Sequence, residues 1–199
     1  MIQSFNDYKF YVEKDRLALQ VKPYAFTLRL KELLFPNQIL RFELYLRRYE
    51  YLRNKKNKSF LDKCLLLFTY FKFRKLSFKL GFSIPPNVFG PGLSIAHYGT
   101  IVVNYNAKVG SNCRIHACVN IGASAGNKAA PIIGKNVYIG PGAKIFGDIQ
   151  IADNIVIGAN AVVNKSCLEN NCVIAGNPAK IVKKLLPGEI QKYVRHSEI

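Results

Sequence analysis

Tryptophan is absent from the 199 residues, and the only methionine is Met1. No glycine precedes Gly81, and the other 13 all follow it. Acidic side chains are scarce: 12 Asp and Glu stand against 29 Lys and Arg, a formal charge of +17. So large a basic excess points to an anionic partner: a nucleic acid, a membrane surface or a phosphorylated ligand. Only three histidines occur, at 97, 116 and 196, which argues against a His-built metal site. The five cysteines (64, 113, 118, 167, 172) form no CxxC pair, so neither a disulfide framework nor a zinc ribbon is indicated. They read as reduced thiols used as small core residues. The apolar run Cys64–Phe71 is far too short to span a bilayer. The first residues lack a basic stretch followed by an apolar one, so a cytoplasmic protein without a secretory signal is expected. What is present, 49% hydrophobic and 21% charged residues, suits a folded domain with a core.

Charge and glycine divide the chain near residue 83. Residues 1–83 carry 18 basic and 7 acidic side chains; residues 84–199 carry 11 and 5. A glycine-free segment favours helices, and a glycine-punctuated one favours tight turns. Ser4 to Asp7 resembles a capping start for a helix to about Leu19. Tyr24–Leu34 and Asn37–Arg53 predict two more, separated by Pro36. After the basic linker 54–58, Ser59 is placed to cap a fourth helix, Phe60–Leu80, stopped by Gly81. That last helix is apolar nearly all round in its middle, with Lys72, Arg74, Lys75 and Lys79 near its end. It reads first as a helix buried between neighbours and second as a basic aromatic helix touching an anionic membrane.

From residue 101 a six-residue period takes over. Val103, Val109, Ile115, Ile121, Ile133, Ile139, Ile145, Ile151, Ile157 and Val163 hold one phase. Companion positions two residues earlier, such as Ile101, Ala107, Cys113, Val137 and Ala143, are small or β-branched. Six residues fit neither a helix nor sustained strand alternation. They fit a solenoid of short flat faces, three hexapeptides to a triangular coil, with coils about 4.8 Å apart. The phase breaks at Ser124–Pro131, where Asn127 takes an aliphatic slot, and predicts a loop thrown out from the coil.

This pattern resembles the hexapeptide-repeat acyltransferases, whose prism is a left-handed parallel β-helix. Residues 81–182 look like the serine acetyltransferase branch, through GFSIPPNVFGPGLSIAHYGTIVVN (81–104), NIGAS (120–124), IGPGAKIFGDI (139–149), IGANAVV (157–163) and IAGNPAKIV (174–182). Within that branch the chain is expected nearest the O-acetyltransferases of polysaccharide biosynthesis. The expected architecture is mainly β: a basic α-helical domain over 1–83, a left-handed β-helix acetyltransferase domain over 84–182, and a C-terminal tail with a short helix over 183–199. The resemblance implies a homotrimer with sites between prisms. It implies acetyl-CoA as co-substrate, no permanently bound cofactor or metal, and direct transfer to a hydroxyl.

The same resemblance places the catalytic base at His97, in Ile95-Ala96-His97-Tyr98-Gly99. Imidazole suits that task because its ordinary pKa, about 6.5, leaves a neutral base available in the cell. In the hexapeptide phase His97 falls in an aliphatic slot, a local violation of the pattern that suits a functional residue. Asp15 is a looser match to a helix Asp that faces the acceptor, with an ordinary surface charge as the alternative. His116, one coil on, is a candidate to replace a lost loop histidine, or a corner residue facing solvent. The donor set implied is Gly122, Ala123, Pro141, Gly142, Ala159 and Asn160 along the pantetheine arm, with Lys165 and Lys180 for the CoA phosphates; turn residues and solvated lysines are the plain alternative.

Two departures bear on the acceptor. Serine acetyltransferases have Asp before the catalytic His, where this chain has Ala96, and a loop His before Pro, where it has Ala130 before Pro131. The leading expectation is therefore a sugar or lipid-linked glycan acceptor in surface-polysaccharide assembly, with peripheral contact at the inner face of a membrane. The alternative is serine O-acetylation for cysteine synthesis, to which the final Ile199 lends slight support. A non-catalytic solenoid binding nucleic acid or membrane through its basic helices is a third reading, carried by charge alone; no nucleic-acid partner is expected.

Overall fold

The computed structural model describes residues 1–21 and 36–194. The helix expected over Tyr24–Leu34 and the last residues, 195–199, lie outside the described residues. Helix α1 spans Phe5–Ala18. Ser4 Oγ accepts the Asp7 N–H at 3.0 Å, and the Asp7 carboxylate accepts the Ser4 N–H at 2.9 Å, a reciprocal capping box. Helix α2, Gln38–Asn54, starts at Asn37, whose Oδ1 accepts the N–H groups of Ile39 and Leu40. Helix α3, Phe60–Leu80, has the expected Ser59 cap and stops at Gly81 with φ of 78°. A Cβ at Gly81 would also lie 3.1 Å from the Gly99 carbonyl carbon, so glycine is needed there twice over.

The hexapeptides build a left-handed parallel β-helix with three faces. One face stacks β1 (Phe82–Ser83), β3 (Ile101–Val103), β6 (Asn120–Gly122), β9 (Lys144–Phe146) and β12 (Val162–Val163). A second stacks β4 (Lys108–Val109), β7 (Ile132–Ile133) and β10 (Gln150–Ile151). The third stacks β2 (Ser94–Ile95), β5 (Arg114–Ile115), β8 (Tyr138–Ile139), β11 (Ile155–Ile157) and β13 (Cys172–Gly176). The antiparallel strand β14 (Ala179–Lys184) closes that sheet. Outside the loop at Ser124–Pro131, every position of the six-residue phase from Val103 to Val163, and every companion, is buried. In register, Val103, Ile121, Ile145 and Val163 stack one above another. The loop at Ser124–Pro131 carries no strand, and Asn127 is exposed at its tip.

The prism begins at Phe82, two residues before the expected boundary, because β1 already pairs with β3. Strand β14 runs across the boundary expected at 182/183. Beyond it a short helix α4, Gln191–Val194, packs with Leu185 and Ile190 against Val156 on the outside of the third face. Helix α2 seals the open first coil: Phe42 sits 5.0 Å, edge to face, from Phe82 and 5.4 Å from Phe73 of α3, so prism and helices share one core.

Two expectations fail. Helix α3 is not buried all round. Its Thr69, Phe73, Ser77 and Leu80 face inward, while Leu67, Phe68 and Phe71 are exposed. Of the thiols, Cys113, Cys167 and Cys172 are core residues, but Cys64 and Cys118 are exposed.

Candidate active site

His97 does not occupy the inward slot that the six-residue phase assigns it. Ile95 pairs with Ile115 and fills the interior, and His97 is exposed. Five residues, 96–100, separate inward Ile95 from inward Ile101, where three separate Val109 from Cys113. The first coil therefore carries two extra residues at this corner, and they lift His97 out onto the surface. The next coil places His116 beside it, ring centroids 5.8 Å apart. Tyr138 lies 5.0 Å below His116, and Tyr193 of α4 lies 5.6 Å from Tyr138.

Half of the expected donor residues continue this same corner downward. Residues 116–118, 140–142 and 158–160 are its successive turns. The Gly142 N–H donates to Ala117 O at 3.0 Å, and the Asn160 N–H donates to Pro141 O at 2.8 Å. Cys118, Gly142 and Asn160 all adopt positive φ there, 63°, 76° and 55°. Lys180 stands opposite Ala175 on β14, two strands below the turn that carries Ala159. From His97, just after β2, to Lys180 on β14 the corner descends five strand spacings, about 24 Å at the spacing of paired strands. Small residues along it leave backbone open to an extended ligand.

Gly122, Ala123 and Lys165 are elsewhere. Gly122 ends β6, Ala123 follows it and Lys165 lies just past β12, all at the opposite edge of the first face, with Gly147 between them in register. A single chain does not bring these three to His97.

Asp15 is neither an acceptor-facing group nor a surface charge. It is buried, and Arg47 Nε donates to its Oδ2 at 2.7 Å. Its Oδ1 accepts the N–H groups of Gly92 and Leu93, at 2.8 and 2.9 Å. Arg47, on α2, is fully buried. It also donates to Glu50 and to the carbonyls of Phe89 and Gly90. Glu50 accepts the Asn87 N–H at 2.6 Å, and Glu43 accepts the Ile95 N–H at 3.2 Å. Burial opposes the Arg47 charge, but Asp15 and Glu50 outweigh it and hold the guanidinium more firmly charged than usual. Burial, reinforced by the charge of Asp15, pushes the Glu43 carboxyl well above the ordinary carboxylate range. This knot fixes residues 87–95, the segment that delivers His97, and sequence reasoning missed Glu43, Arg47 and Glu50. Four ionisable residues on two helices facing one apolar coil were the available signal.

Among the described residues, no three His, Cys, Asp or Glu side chains are grouped to hold a metal ion. The corner presents an exposed imidazole, a second imidazole beside it, and a small-residue channel leading to a lysine.

Residues 130–165 match the family model for the bacterial transferase hexapeptide (six repeats). In sequence the chain is 36% identical over 105 residues to a serine acetyltransferase of Mycobacterium tuberculosis, covering 52% of this chain and 45% of that one. It is 34% identical over 136 residues to a serine acetyltransferase of Staphylococcus aureus, covering 61% and 63%. The chain thus spans about half the length of such relatives. In structure it is similar to Brucella abortus serine acetyltransferase in complex with coenzyme A, with a TM-score of 0.68 and 25% identity over 92% of this chain and 70% of that one. A serine acetyltransferase of Neisseria gonorrhoeae gives a TM-score of 0.64 and 28% identity over 96% and 71%.

Proposed function

We propose that this chain, a hexapeptide-repeat protein sharing its fold with the serine acetyltransferases, moves an acetyl group from acetyl-CoA to a hydroxyl with His97 as general base. The observation that carries this is the two-residue excess that lifts His97 out of the prism at the head of the small-residue corner. His97 takes the hydroxyl proton as the oxygen attacks the thioester carbonyl. The tetrahedral oxyanion collapses, the carbon–sulfur bond breaks, and the CoA thiolate leaves with the proton from the imidazolium. In this reading the pantetheine arm lies along Pro141, Gly142, Ala159 and Asn160, with the CoA phosphates toward Lys180. His116, beside the base, holds the acceptor or orients His97. Gly122, Ala123 and Lys165 belong to the neighbouring subunit's share of the site, which requires a homotrimer.

For the acceptor, the names of the relatives support L-serine and reverse the order drawn from sequence. A sugar hydroxyl is the second reading, kept by one observation: Ala96 and Ala130 supply neither the carboxylate nor the imidazole that the serine-directed pattern has at those places.

CoA release followed by thiol titration, with L-serine and a panel of sugars and nucleotide sugars in parallel, tests both. His97→Ala is expected to lower turnover about 10²–10⁴-fold without moving the melting temperature. Full turnover in His97→Ala would refute the assignment of the base. Turnover with sugars and none with serine would restore the sugar reading. Mixing two inactive variants, His97→Ala and Ala123→Trp, is expected to recover part of the activity if the site is shared between subunits. No recovery, with each variant trimeric, would overturn the shared site.

A further inference from the structure

We propose that the outward face of α3 seats on an anionic lipid bilayer. The inference stands independently of the acetyl-transfer reading. Phe60, Cys64, Leu67, Phe71 and Phe78 recur at helical spacing and form one stripe facing away from α2 and the prism. Phe60 is 79% exposed, Leu67 70%, Phe71 61% and Phe78 76%. Large apolar side chains in one contiguous stripe are costly in water and rarely left so without a partner. The inward face of the same helix, Thr69, Phe73, Ser77 and Leu80, is already buried, with Phe73 and Leu80 in the core. The helix is apolar on two opposite sides, and among the described residues only one of them has protein to cover it.

Charge selects the occupant. Basic residues flank the stripe at Lys63, Lys72, Arg74, Lys75 and Lys79. The one acidic residue of the helix, Asp62, is on the inward side and is engaged by Lys55 and by the Ser59 cap. The linker adds Lys56 and Lys58 at the start of the helix. Two of the flanking cations lie on aromatic rings: Lys72 Nζ is 5.3 Å from the Phe68 centroid and the Arg74 guanidinium 4.8 Å from that of Phe78. Long basic side chains beside buried-depth aromatics are the composition of a helix that lies in the headgroup boundary of an anionic leaflet. A second copy of the same face would set five cations against five, which opposes self-pairing. A nucleic acid would meet the cations but leave the aliphatic and aromatic stripe in water. Among the described residues no helix is long and apolar enough to cross a membrane, so α3 lies on the bilayer rather than through it.

The test is flotation of the full chain with vesicles of phosphatidylcholine alone and with vesicles that also contain phosphatidylglycerol. The protein is expected to float with the anionic vesicles only, and less so as salt is raised. Lys72→Gln and Lys75→Gln should each weaken the partition about fivefold. Leu67→Ser with Phe71→Ser should abolish it at an unchanged melting temperature. Because tryptophan is absent, Phe71→Trp supplies a single reporter on the stripe. Its emission should shift to the blue and be quenched by brominated lipid, while Tyr105→Trp, exposed on the prism, should do neither. Any of three results would overturn the proposal. The first is no flotation with phosphatidylglycerol. The second is flotation that survives Leu67→Ser with Phe71→Ser. The third is a wild-type assembly that those two substitutions dissolve in the absence of lipid, which would make the occupant a second copy of the chain.

Discussion

Inside the prism, Ile115, Ile139 and Ile157 stack in register with nothing polar between them. Between the helices and the first coil, Arg47 lies fully buried among Asp15, Glu50 and two backbone carbonyls. The prism is held by many equivalent apolar contacts, so each coil repeats the work of the last. The helices are held to it by one charged knot with no repeat. Apolar stacking tolerates substitution in proportion to the volume lost. A buried ion cluster tolerates almost none, because removing one partner strands the others. The knot also supports the segment carrying His97, whereas the lower coils only lengthen the channel.

The largest expected effect is therefore at the knot. Arg47→Met leaves Asp15 and Glu50 buried without their cation and is expected to cost about 3–5 kcal/mol in urea unfolding. The triple variant Asp15→Asn, Arg47→Met, Glu50→Gln keeps acceptors for the Gly92, Leu93 and Asn87 amides and should recover most of that loss. If Arg47→Met alone unfolds at the wild-type midpoint, the knot is not what fastens the helices. Next in size is Ile139→Ala, which opens a cavity in the stack at a cost of about 3 kcal/mol. Ile115→Ala and Ile157→Ala should cost similar amounts. A tenfold spread of effect among the three would break the picture of equivalent coils.

The prism was legible because its period is written in the sequence, one aliphatic every six residues, and each such residue has a single place to go. The helix caps at Ser4 and Ser59 were legible for a similar reason, since capping is local chemistry. The knot was not, because Asp15 and Arg47 are 32 residues apart and charged side chains are ordinarily solvated. His97 was found through its motif, yet its placement was misread. The six-residue phase was extended backward across a coil with two residues too many. Leu93 and Ile95, buried two positions out of phase, were the clue to that slip.

A smaller effect separates the prism's corners from its faces. Asn112, Asn136, Asn154 and Asn171 form a ladder down one corner, each side-chain amide donating to the next at 2.8–2.9 Å. Each has positive φ, which asparagine adopts more readily than most residues. Asn136→Ala loses both ladder bonds and strains the backbone, for about 1–2 kcal/mol. Asn136→Gly removes the strain and should cost less. Equal losses in the two variants would mean that the ladder bonds, not the backbone conformation, fix the corner.

An effect of opposite sign, and one that depends on pH, is at Glu43. Its carboxyl is held well above the ordinary range by burial and by Asp15, against the opposing pull of the Ile95 N–H and Arg47. Below about pH 4 the carboxyl is protonated in folded and unfolded chains alike, and it adds no pH dependence. As pH rises past that value the unfolded chain releases the proton and the folded chain keeps it. The native state then binds more protons, so stability falls as pH rises, until the raised folded value is reached. The steepest slope this one group can impose is about 1.4 kcal/mol per pH unit. Glu43→Gln keeps an oxygen for the Ile95 N–H and removes the titration. Its urea midpoint should gain on wild type as pH is raised above the ordinary carboxylate range, the reverse of what loss of a buried ion pair would do. Parallel curves for the two proteins would mean that Glu43 is ionised in the folded state and is a working member of the charged knot, not a neutral hydrogen-bonding group beside it.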